Sequence, residues 1–483
     1  MKKNNFYITT PIYYPSGEPH MGHAYSSIVA DVLARFKRND NFDVFFLTGT
    51  DEHGLKMQRE AEKKSKDVKL FCDELSLKFK DLTKTLNLSN DDFIRTTEKR
   101  HHKSVLDIWS RLEKSKDIYL SKYKGWYSVS DEAYYDEDEI ETKNNIKYAK
   151  SSGSKVEWVE EESYFFKLSS WQDKLLKLYE KDNPKFILPS SRKNEVIQFV
   201  KKGLKDLSVS RTSFSWGIPV PKNSKHVIYV WLDALTNYLS AVNFPNTAEK
   251  KYKTFWPADV HIIGKDIARF HVIYWPAILL SAGLPVPTDV YVHGFFTMNG
   301  EKMSKSLGNT IDPFEFVEEY GADAARYILL SEMPHANDGD LSKERMEERY
   351  AELANRLGNL VSRVAAMGQS YFDGKLDRIN PNWTEQNEQL DHLIKQCNFK
   401  GYLEYVFEAV SQANEIVDKE EPFKLVKTDP DDAKRVLSEV AEIIRWVGEK
   451  LVPVMPTAAE AILDRYKEDG TVVKGDALFP RRD

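Results

Sequence analysis

The first fifty residues constrain the fold most, because they switch between strand-like and helix-like patterns. Phe6 to Thr9 has the pattern of a short strand, residues 19 to about 38 that of a helix, and Val44 to Leu47 that of a second strand. A strand, a helix and a strand in this order form a βαβ unit with parallel strands. The sequence therefore predicts an α/β protein built on a parallel sheet.

The pattern changes between Tyr119 and about Arg211. Aromatic and acidic runs there surround a Ser-Gly-rich turn at residues 151–154, which indicates an α+β insertion. Strand-like runs return later, at Val227–Val230, Val260–Ile263 and Val290–Val292. We expect the sheet to resume after the insertion.

Beyond about Ser342 the pattern is helical. Further helices are expected from Tyr402 and from Asp431. Apolar residues recur at helical spacing in the first of these helices, at Leu353, Leu357, Leu360, Val361 and Val364. The chain is therefore expected to end in an all-α helix bundle.

Composition narrows the class of protein. A length of 483 residues suggests several domains, and 69 Lys and Arg against 75 Asp and Glu leave a net charge of −6. That balance gives no global sign of nucleic-acid binding, so RNA contacts would come from local basic patches. Cys72 and Cys397 are the only cysteines, which excludes a disulfide framework and a CxxC zinc site. With no leader and no 18-residue apolar run, we expect a soluble, cytoplasmic, membrane-free protein.

The loop after the first strand carries a possible phosphate site. His20 and His23 lie three apart at the expected start of the helix, with Pro19 in its first turn. Free N–H groups and the helix dipole attract phosphate at such an end, and Gly22 would let a flat base approach the backbone. A surface pair of histidines is the simpler interpretation, and a metal site that includes His53 is a third.

A second possible phosphate site follows the third strand-like run. Lys302-Met303-Ser304-Lys305-Ser306 places two ammonium groups and two hydroxyls in five residues, after a turn at Asn299-Gly300. This composition suits a mobile clamp for a triphosphate.

These two segments resemble the signatures of a known enzyme family. His20-Met21-Gly22-His23 looks like the HIGH signature of class I aminoacyl-tRNA synthetases, and Lys302 to Ser306 matches their KMSKS signature. Other strings resemble the methionyl-tRNA synthetases in particular: Thr10–Pro15, Gly49–Gly54, Gly125–Ser128, Glu157–Phe166, Tyr229–Ala234 and Ile263–Ile267. The resemblance covers nearly the whole chain.

The resemblance implies a Rossmann-type catalytic domain split by the insertion and followed by a helical anticodon-binding domain. The implied domains are residues 1–118 and 212–295 for the two catalytic halves, 119–211 for the insertion, 296–342 for the KMSKS and stem-contact region, and 343–483 for the anticodon-binding bundle. The implied activity is ATP-dependent ligation of L-methionine to tRNA(Met) through a methionyl-adenylate.

The same resemblance assigns substrate-binding residues. The methionine pocket falls on Ile12, Tyr14, Asp51, Trp231, Ala234, Leu235, Tyr238, Ile267, Phe270, His271 and Trp275. Aromatic rings suit a thioether, Tyr14 and His271 are placed to sense the sulfur, and a carboxylate at Asp51 suits the substrate ammonium. Core packing is the alternative role for Trp231 and Tyr238.

The resemblance assigns ATP, as its Mg²⁺ complex, to residues that follow the strands and to residues of the two signatures. The ATP-binding residues are His20, Gly22, His23, Gly264, Asp266 and Lys305, and the catalytic residues are His20, His23, Lys302 and Lys305. Asp266 suits ribose hydroxyls, with a helix N-cap as the alternative role.

The tRNA anticodon is expected at Asn359, Arg363 and Phe423. The first two lie off the apolar stripe of their helix, where two ordinary surface residues are the alternative. The family usually has tryptophan where Phe423 stands. Many members also carry cysteine zinc knuckles in the insertion, whereas residues 119–211 contain no cysteine. We therefore expect no structural zinc and, without an appended C-terminal domain, a monomer.

Three other functions are alternatives to this one. Synthetases for leucine, isoleucine or valine share both signatures but carry a much larger insertion. An inactive RNA-binding paralogue would tend to lose His20, His23, Lys302 and Lys305. A nucleotidyltransferase acting on a small metabolite would have no use for an anticodon-binding bundle.

Overall fold

A computed structural model of the chain describes residues 4–131, 133–303, 308–379 and 381–482. The chain divides into two compact units. The first comprises Met1–Pro19, Asn41–Lys84 and Leu88–His293, and the second comprises His20–Asp40, Thr85–Asn87 and Gly294–Asp483. Each unit is built from several separate stretches of chain.

The first unit is organised by a six-stranded parallel sheet, as the βαβ pattern predicts. The strands of the first unit are β1 Asn5–Tyr13, β2 Asp43–Thr50, β3 Asp92–Arg95, β4 Ile118–Ser128, β5 Ala133–Tyr135, β6 Ile140–Lys143, β7 Ile146–Ala149, β8 Glu157–Phe166, β9 Ile187–Leu188, β10 Leu207–Ser208, β11 Ser210–Arg211, β12 Pro219–Val220, β13 Asn223–Ile228, β14 Val260–Gly264 and β15 Asp289–His293. The second unit contains β16 Phe296–Met298, β17 Glu301–Lys302 and β18 Gly339–Leu341. The parallel sheet has the order β3-β2-β1-β14-β15-β9. Its central strands are almost wholly buried, which explains their continuous apolar runs.

The inserted stretch forms antiparallel sheets of its own, as its change of pattern indicates. β8 pairs with β4 along ten residues, and β10 and β5 extend this sheet. β9 also lies in this stretch, yet it pairs in parallel with β15 and forms an edge of the parallel sheet. The insertion therefore returns to the sheet that it interrupts.

One strand prediction was wrong in its place and its length. β13 ends at Ile228 and pairs antiparallel with β11 and β12 in a separate small sheet, so the parallel sheet resumes only at β14. Val230 begins a helix, because the carbonyl oxygen of Tyr229 accepts hydrogen bonds from the backbone N–H groups of Leu232 and Asp233. A run of β-branched and aromatic residues does not distinguish a strand from the start of a buried helix.

The helices occupy both units. They are α1 Met21–Asn39, α2 Leu55–Lys63, α3 Val68–Thr85, α4 Lys99–Lys114, α5 Gln172–Lys177, α6 Ser190–Lys201, α7 Val230–Leu235, α8 Asn237–Ser240, α9 Lys250–Phe255, α10 Trp275–Ser281, α11 Pro313–Tyr320, α12 Ala322–Glu332, α13 Lys343–Glu352, α14 Asn359–Phe372, α15 Thr384–Lys395, α16 Phe399–Glu420, α17 Pro422–Leu425, α18 Pro430–Leu451 and α19 Pro456–Arg465. Among the described residues, none of these helices combines the length and apolarity needed to cross a bilayer.

The second unit is mostly helical, as predicted, and its helices pack through apolar faces. Leu353, Leu357 and Leu360 are buried, together with Val361 and Val364. α16 packs against α18, and α18 packs against α19. The apolar stripe from Leu353 to Val364 is therefore the face through which this part of the chain packs into the bundle.

A buried ion pair joins distant parts of the second unit. The Arg326 guanidinium on α12 lies 2.6 Å from the Asp31 carboxylate on α1, and both side chains are fully buried. Arg326 also donates to the carbonyl oxygens of Val454, Pro453 and Leu86. One side chain thus holds two separate stretches of backbone and a helix.

Replacing Arg326 by methionine is expected to destabilise the protein strongly. The change removes the buried cationic partner of Asp31 and leaves the partly exposed Arg35, 2.7 Å away, and breaking such a buried pair costs about 3–5 kcal/mol. Urea denaturation followed by circular dichroism measures the loss. The exposed Arg435–Asp432 pair provides a control, because Arg435→Met should change stability by less than about 1 kcal/mol. Equal losses in both variants would contradict the prediction.

Candidate active site

The two histidines of the first loop form a stacked pair at the start of α1. His20 is the N-cap, so Pro19 lies just outside the helix and not in its first turn. The Nδ1 atom of His20 accepts the Gly22 backbone N–H at 3.2 Å, and the Nδ1 atom of His23 accepts the His20 backbone N–H at 3.1 Å. The ring centroids are 3.6 Å apart.

These bonds determine the protonation of both rings. An Nδ1 atom that accepts a hydrogen bond carries no proton, so each neutral ring carries its proton on Nε2. Burial, together with the neighbouring His20, holds the pKa of His23 well below its ordinary value. The pair therefore provides two neutral Nε2–H donors beside a helix N-terminus.

Gly22 is required by the close fit of these rings. A Cβ atom at this position would lie 3.1 Å from Cε1 and 3.2 Å from Nδ1 of His20. Both contacts are tighter than van der Waals packing usually allows. Glycine therefore permits the His20 ring to bend back over the first turn.

The second signature begins on a β-hairpin. β16 and β17 are joined by Asn299 and Gly300, whose φ angles of 53° and 77° fit a two-residue hairpin turn. Lys302 is exposed on β17, and its carbonyl oxygen accepts the Asn309 side-chain amide at 3.2 Å. Lys305 lies outside the described residues.

The residues assigned to methionine come together in the first unit, where strands and short helices meet. Tyr14 and Asp51 directly follow β1 and β2, at the carboxyl ends of parallel strands where α/β proteins bind ligands. Asp51, Ala234 and His271 are buried. Eight further residues belong to one apolar cluster or pack against it, namely Ile12, Tyr14, Trp231, Leu235, Tyr238, Ile267, Phe270 and Trp275.

Two ring contacts join residues of this group. Trp231 and Phe270 stack with centroids 3.7 Å apart and planes 4° from parallel. Tyr238 lies within hydrogen-bonding distance of His271, with 2.8 Å between its Oη and the Nε2 of the histidine. The Nδ1–H of His271 donates to the carbonyl oxygen of Ile267 at 3.0 Å, so Nε2 accepts from the Tyr238 hydroxyl. Both nitrogens of His271 are therefore engaged in this structure, as is the Tyr14 hydroxyl, which donates to the carbonyl oxygen of His53 at 2.9 Å.

Gly264 and Asp266 lie beside the same edge of the sheet. Gly264 ends β14 and caps the short 3₁₀ turn Lys265–Ile267, and Asp266 is exposed within that turn. The N-cap role considered for Asp266 is therefore filled by Gly264. The Asp266 carboxylate faces solvent at the carboxyl end of a central strand.

A cluster of polar residues behind the pocket was not anticipated from the sequence. Asp233 is fully buried, and its two carboxylate oxygens lie 2.6 Å from His53 Nδ1 and 2.6 Å from His101 Nε2. Burial alone would raise the pKa of Asp233, but the charges and hydrogen bonds of the two histidines outweigh it and hold that pKa well below its ordinary value. His101 and His53 lie 132 and 180 positions before Asp233 in the sequence, and no local pattern signals such a contact.

The alternative metal site at His53 finds no set of ligands. Its Nδ1 atom bonds to Asp233, and the ring lies edge-on to Trp216. Across the residues that the structure describes, no group of three or more His, Cys, Asp or Glu side chains has an arrangement that could hold a metal ion.

The residues assigned to the anticodon lie in the second unit. Asn359 is exposed at the start of α14, and Arg363 donates to Asp418 on α16 at 3.0 Å. Phe423 lies on α17, just beyond the end of α16, with 40 % of its surface exposed. Arg363 and Phe423 are therefore both associated with the C-terminal end of α16.

Comparison with known proteins places this arrangement in a family. The sequence profile described as tRNA synthetases class I (M) matches residues 6–365. The chain belongs to the class I tRNA synthetases of the M type. It is 48 % identical over 477 residues to the methionine–tRNA ligase of Brucella suis, covering 96 % of this chain and 92 % of that protein. Identity to the Rhizobium meliloti methionine–tRNA ligase is 50 % over 472 residues, with 95 % and 91 % covered.

A solved structure of this family has the same fold. Mycobacterium tuberculosis methionyl-tRNA synthetase in complex with methionyl-adenylate matches with a TM-score of 0.95 and 40 % identity, covering 99 % of this chain and 100 % of that one. The parallel sheet, the insertion and the helical C-terminal region are thus those of a class I synthetase.

Stability is expected to fall in acid because His271 is buried in its neutral form. Burial lowers the pKa of His271 to about 4 from an ordinary 6.5. Between these values the unfolded chain binds the proton and the folded chain does not, so stability is highest above pH 6.5 and falls toward pH 4, by about 3 kcal/mol for this group. Thermal unfolding between pH 4 and 7.5 should show a weaker pH dependence in His271→Gln. The exposed His392→Gln should retain the wild-type dependence, and an unchanged slope in His271→Gln would refute the assignment.

Proposed function

We propose that this protein joins L-methionine to tRNA(Met) in two steps. Methionine and ATP first form methionyl-adenylate and release pyrophosphate, and the methionyl group then passes to the tRNA with release of AMP. The observation that carries the proposal is the stacked pair of Trp231 and Phe270, in the same apolar cluster as residues that follow β1 and β14, in a chain that matches methionine–tRNA ligases along nearly its full length.

Methionine recognition rests on soft apolar contacts. The stacked rings of Trp231 and Phe270, with Trp275 buried nearby, offer polarizable surface to a thioether side chain. The Asp51 carboxylate, at the end of β2, meets the substrate ammonium with a charge-assisted hydrogen bond. The pocket is completed by Ile12, Tyr14, Ala234, Leu235, Tyr238, Ile267 and His271.

ATP is bound where its phosphates meet neutral donors and cations. The Nε2–H groups of His20 and His23 donate to phosphate oxygens as charge develops, while Gly22 keeps their geometry. Lys302 and Lys305 hold the departing pyrophosphate. The ribose is held by Gly264 and Asp266, and Mg²⁺ enters with ATP and offsets phosphate charge.

The chemical step is an in-line displacement. The methionine carboxylate oxygen attacks the α-phosphorus, and the bond from that phosphorus to the bridging oxygen of pyrophosphate breaks. A ribose hydroxyl of the terminal adenosine then attacks the methionyl carbonyl carbon and loses its proton. The bond from that carbon to the phosphate oxygen breaks, and AMP leaves. Because both steps are displacements, most of the catalysis comes from positioning the reactants.

The anticodon is read by an exposed group in the second unit. Phe423 stacks on an unpaired base, and Asn359 and Arg363 donate to base edges. Asp418 holds the Arg363 guanidinium by one terminal nitrogen, which fixes its direction.

We further propose the five-part division into residues 1–118, 119–211, 212–295, 296–342 and 343–483, a zinc-free insertion, a monomeric state and a cytoplasmic location.

The decisive experiment is exchange of labelled pyrophosphate into ATP, measured with each of the twenty amino acids in the absence of tRNA. Exchange with methionine alone is the expected result, because the pocket accepts a thioether. Removal of Mg²⁺ with a chelator should abolish exchange, and added Mg²⁺ should restore it. Exchange with a different amino acid would overturn the pocket assignment, and no exchange would favour an inactive RNA-binding paralogue.

Phe423→Ala is expected to weaken tRNA binding without changing pyrophosphate exchange. The loss of one base-stacking contact, about 1–3 kcal/mol, would raise the KM for tRNA(Met) roughly 5- to 150-fold. Phe423→Trp should retain full aminoacylation, because a larger ring stacks at least as well.

Tyr371→Ala is the matched control, since Tyr371 is an equally exposed aromatic residue of the same unit, with 41 % of its surface exposed. A similar rise in KM for both alanine variants would show that the effect is not specific to Phe423.

A further inference from the structure

Glu52, the residue directly after Asp51, carries a buried carboxylate with four donors. The side chain has no exposed surface, and burying a carboxylate is costly unless it is paired and hydrogen-bonded. Arg95 holds it in a bidentate pair, with 2.6 Å from Nε to Oε1 and 2.9 Å from Nη2 to Oε2. The hydroxyls of Thr50 and Thr97 donate to the same two oxygens at 2.8 and 2.7 Å. The carboxylate therefore fixes one point of the loop that follows β2.

The backbone around Asp51 is held as well. The N–H of Glu52 donates to the Thr96 hydroxyl at 2.9 Å, and its carbonyl oxygen accepts the indole N–H of Trp216 at 2.5 Å. The N–H of Asp51 itself donates to the carbonyl oxygen of Tyr13 at 2.9 Å. Because the backbone at both residues is bonded, the direction in which Asp51 leaves the loop depends on these contacts.

Arg95 connects this loop to two other elements of the first unit. It is the last residue of β3 and lies opposite Thr50 in the pairing of β2 with β3. Its guanidinium also donates to the carboxylate of Asp73 on α3. A guanidinium can make such contacts together because it is planar and carries five N–H donors in fixed directions, which an ammonium group does not.

We propose that Arg95 and Glu52 are positioning residues for methionine, whose bidentate pair holds the loop in the arrangement that directs Asp51 to the substrate ammonium. The inference rests on the proposed function. Neither residue is assigned to the methionine pocket, and both act through Asp51. The pair thus connects the edge of the parallel sheet to the binding of the amino group.

This role has a specific consequence for kinetics. The ammonium group of methionine keeps its charge while the adenylate forms, so its contact with Asp51 stabilises the bound substrate and the transition state equally. Loss of such a contact raises the KM for methionine and leaves kcat and the KM for ATP nearly unchanged. A residue needed only for folding would instead reduce the amount of active enzyme and leave both KM values unaltered.

The first test is pyrophosphate exchange by Arg95→Lys and by Glu52→Gln. Lysine keeps the positive charge but cannot make the bidentate pair, and glutamine keeps the size of Glu52 but loses one acceptor. Each variant is expected to raise the methionine KM roughly 10- to 100-fold, as for the loss of a hydrogen bond to a charged group. If neither variant folds, Thr97→Val removes a single donor to Glu52 and should raise this KM roughly 5-fold.

Arg100→Lys is the matched control. Arg100 on α4 also makes a bidentate pair with a carboxylate, at 2.6 and 2.9 Å from the two oxygens of Asp92. Asp92 begins β3 whereas Arg95 ends it, so this second pair lies at the opposite end of the strand from the Asp51 loop. The control variant should lose a comparable hydrogen-bonded pair and retain the methionine KM of the wild type.

A second measurement uses methionine whose ammonium group is replaced by hydrogen, tested as a competitive inhibitor of exchange. This ligand has nothing for Asp51 to bind, so Arg95→Lys should leave its inhibition constant nearly unchanged while the methionine KM rises. Equal weakening of both ligands would show general damage to the pocket and would overturn the positioning role.

The other outcomes separate the inference from the proposed function. An unchanged methionine KM in folded Arg95→Lys, or in Thr97→Val where that variant replaces it, would overturn the inference, as would an equal rise in Arg100→Lys. Wild-type exchange with a different amino acid would overturn the proposed function, and the KM for that amino acid would still decide the role of Arg95, because every amino acid carries an amino group. No exchange with any amino acid would overturn both.

Discussion

A parallel sheet places the carboxyl ends of all its strands on one edge, and this constraint determines where the residues of the first unit that we assign to substrate binding lie. Tyr14, Asp51 and Gly264 come from parts of the chain far apart in sequence, yet each ends or directly follows one of three adjacent strands, β1, β2 and β14. Because the register of these strands is fixed by their backbone hydrogen bonds, the three positions are set by the sheet itself. The short helices that follow then add the aromatic rings.

The histidines of this protein differ in their burial and in their hydrogen-bond partners. His23 and His271 are neutral because burial costs a charge more than their partners return, and His271 is hydrogen-bonded at both ring nitrogens. His101 differs because it lies 2.6 Å from the buried Asp233 carboxylate, which also contacts His53. A buried carboxylate is stable only when it and its partners are well hydrogen-bonded, and the second nitrogen of His101 lies 3.0 Å from the Ser240 hydroxyl oxygen.

Much of the fold could be predicted from the sequence, because local patterns encode it. β1, β2 and α1 follow from apolar periodicity, and the leucine stripe that begins at Leu353 correctly gives the buried face of the C-terminal helix. The strand predicted at Val227–Val230 was wrong in place and length, since the partner of a strand depends on residues far away in the chain. For the same reason, neither the Asp233 cluster nor the Arg326–Asp31 pair could be predicted from the sequence. Buried charges are matched by tertiary contacts that no window of sequence contains.

Two buried charged groups described above, the Arg326–Asp31 pair and the Asp233 cluster, have different roles. In the second unit the Arg326–Asp31 pair has its donors satisfied by backbone carbonyl oxygens, so its role is to hold helices and loops in one arrangement. The Asp233 carboxylate instead bonds to the side chain of His53, whose backbone carbonyl oxygen accepts the Tyr14 hydroxyl. A change in the first pair should alter stability alone, whereas a change in the second should also displace residues that we assign to methionine. A buried charged group is therefore expected to affect function only where its hydrogen bonds lead to a binding residue.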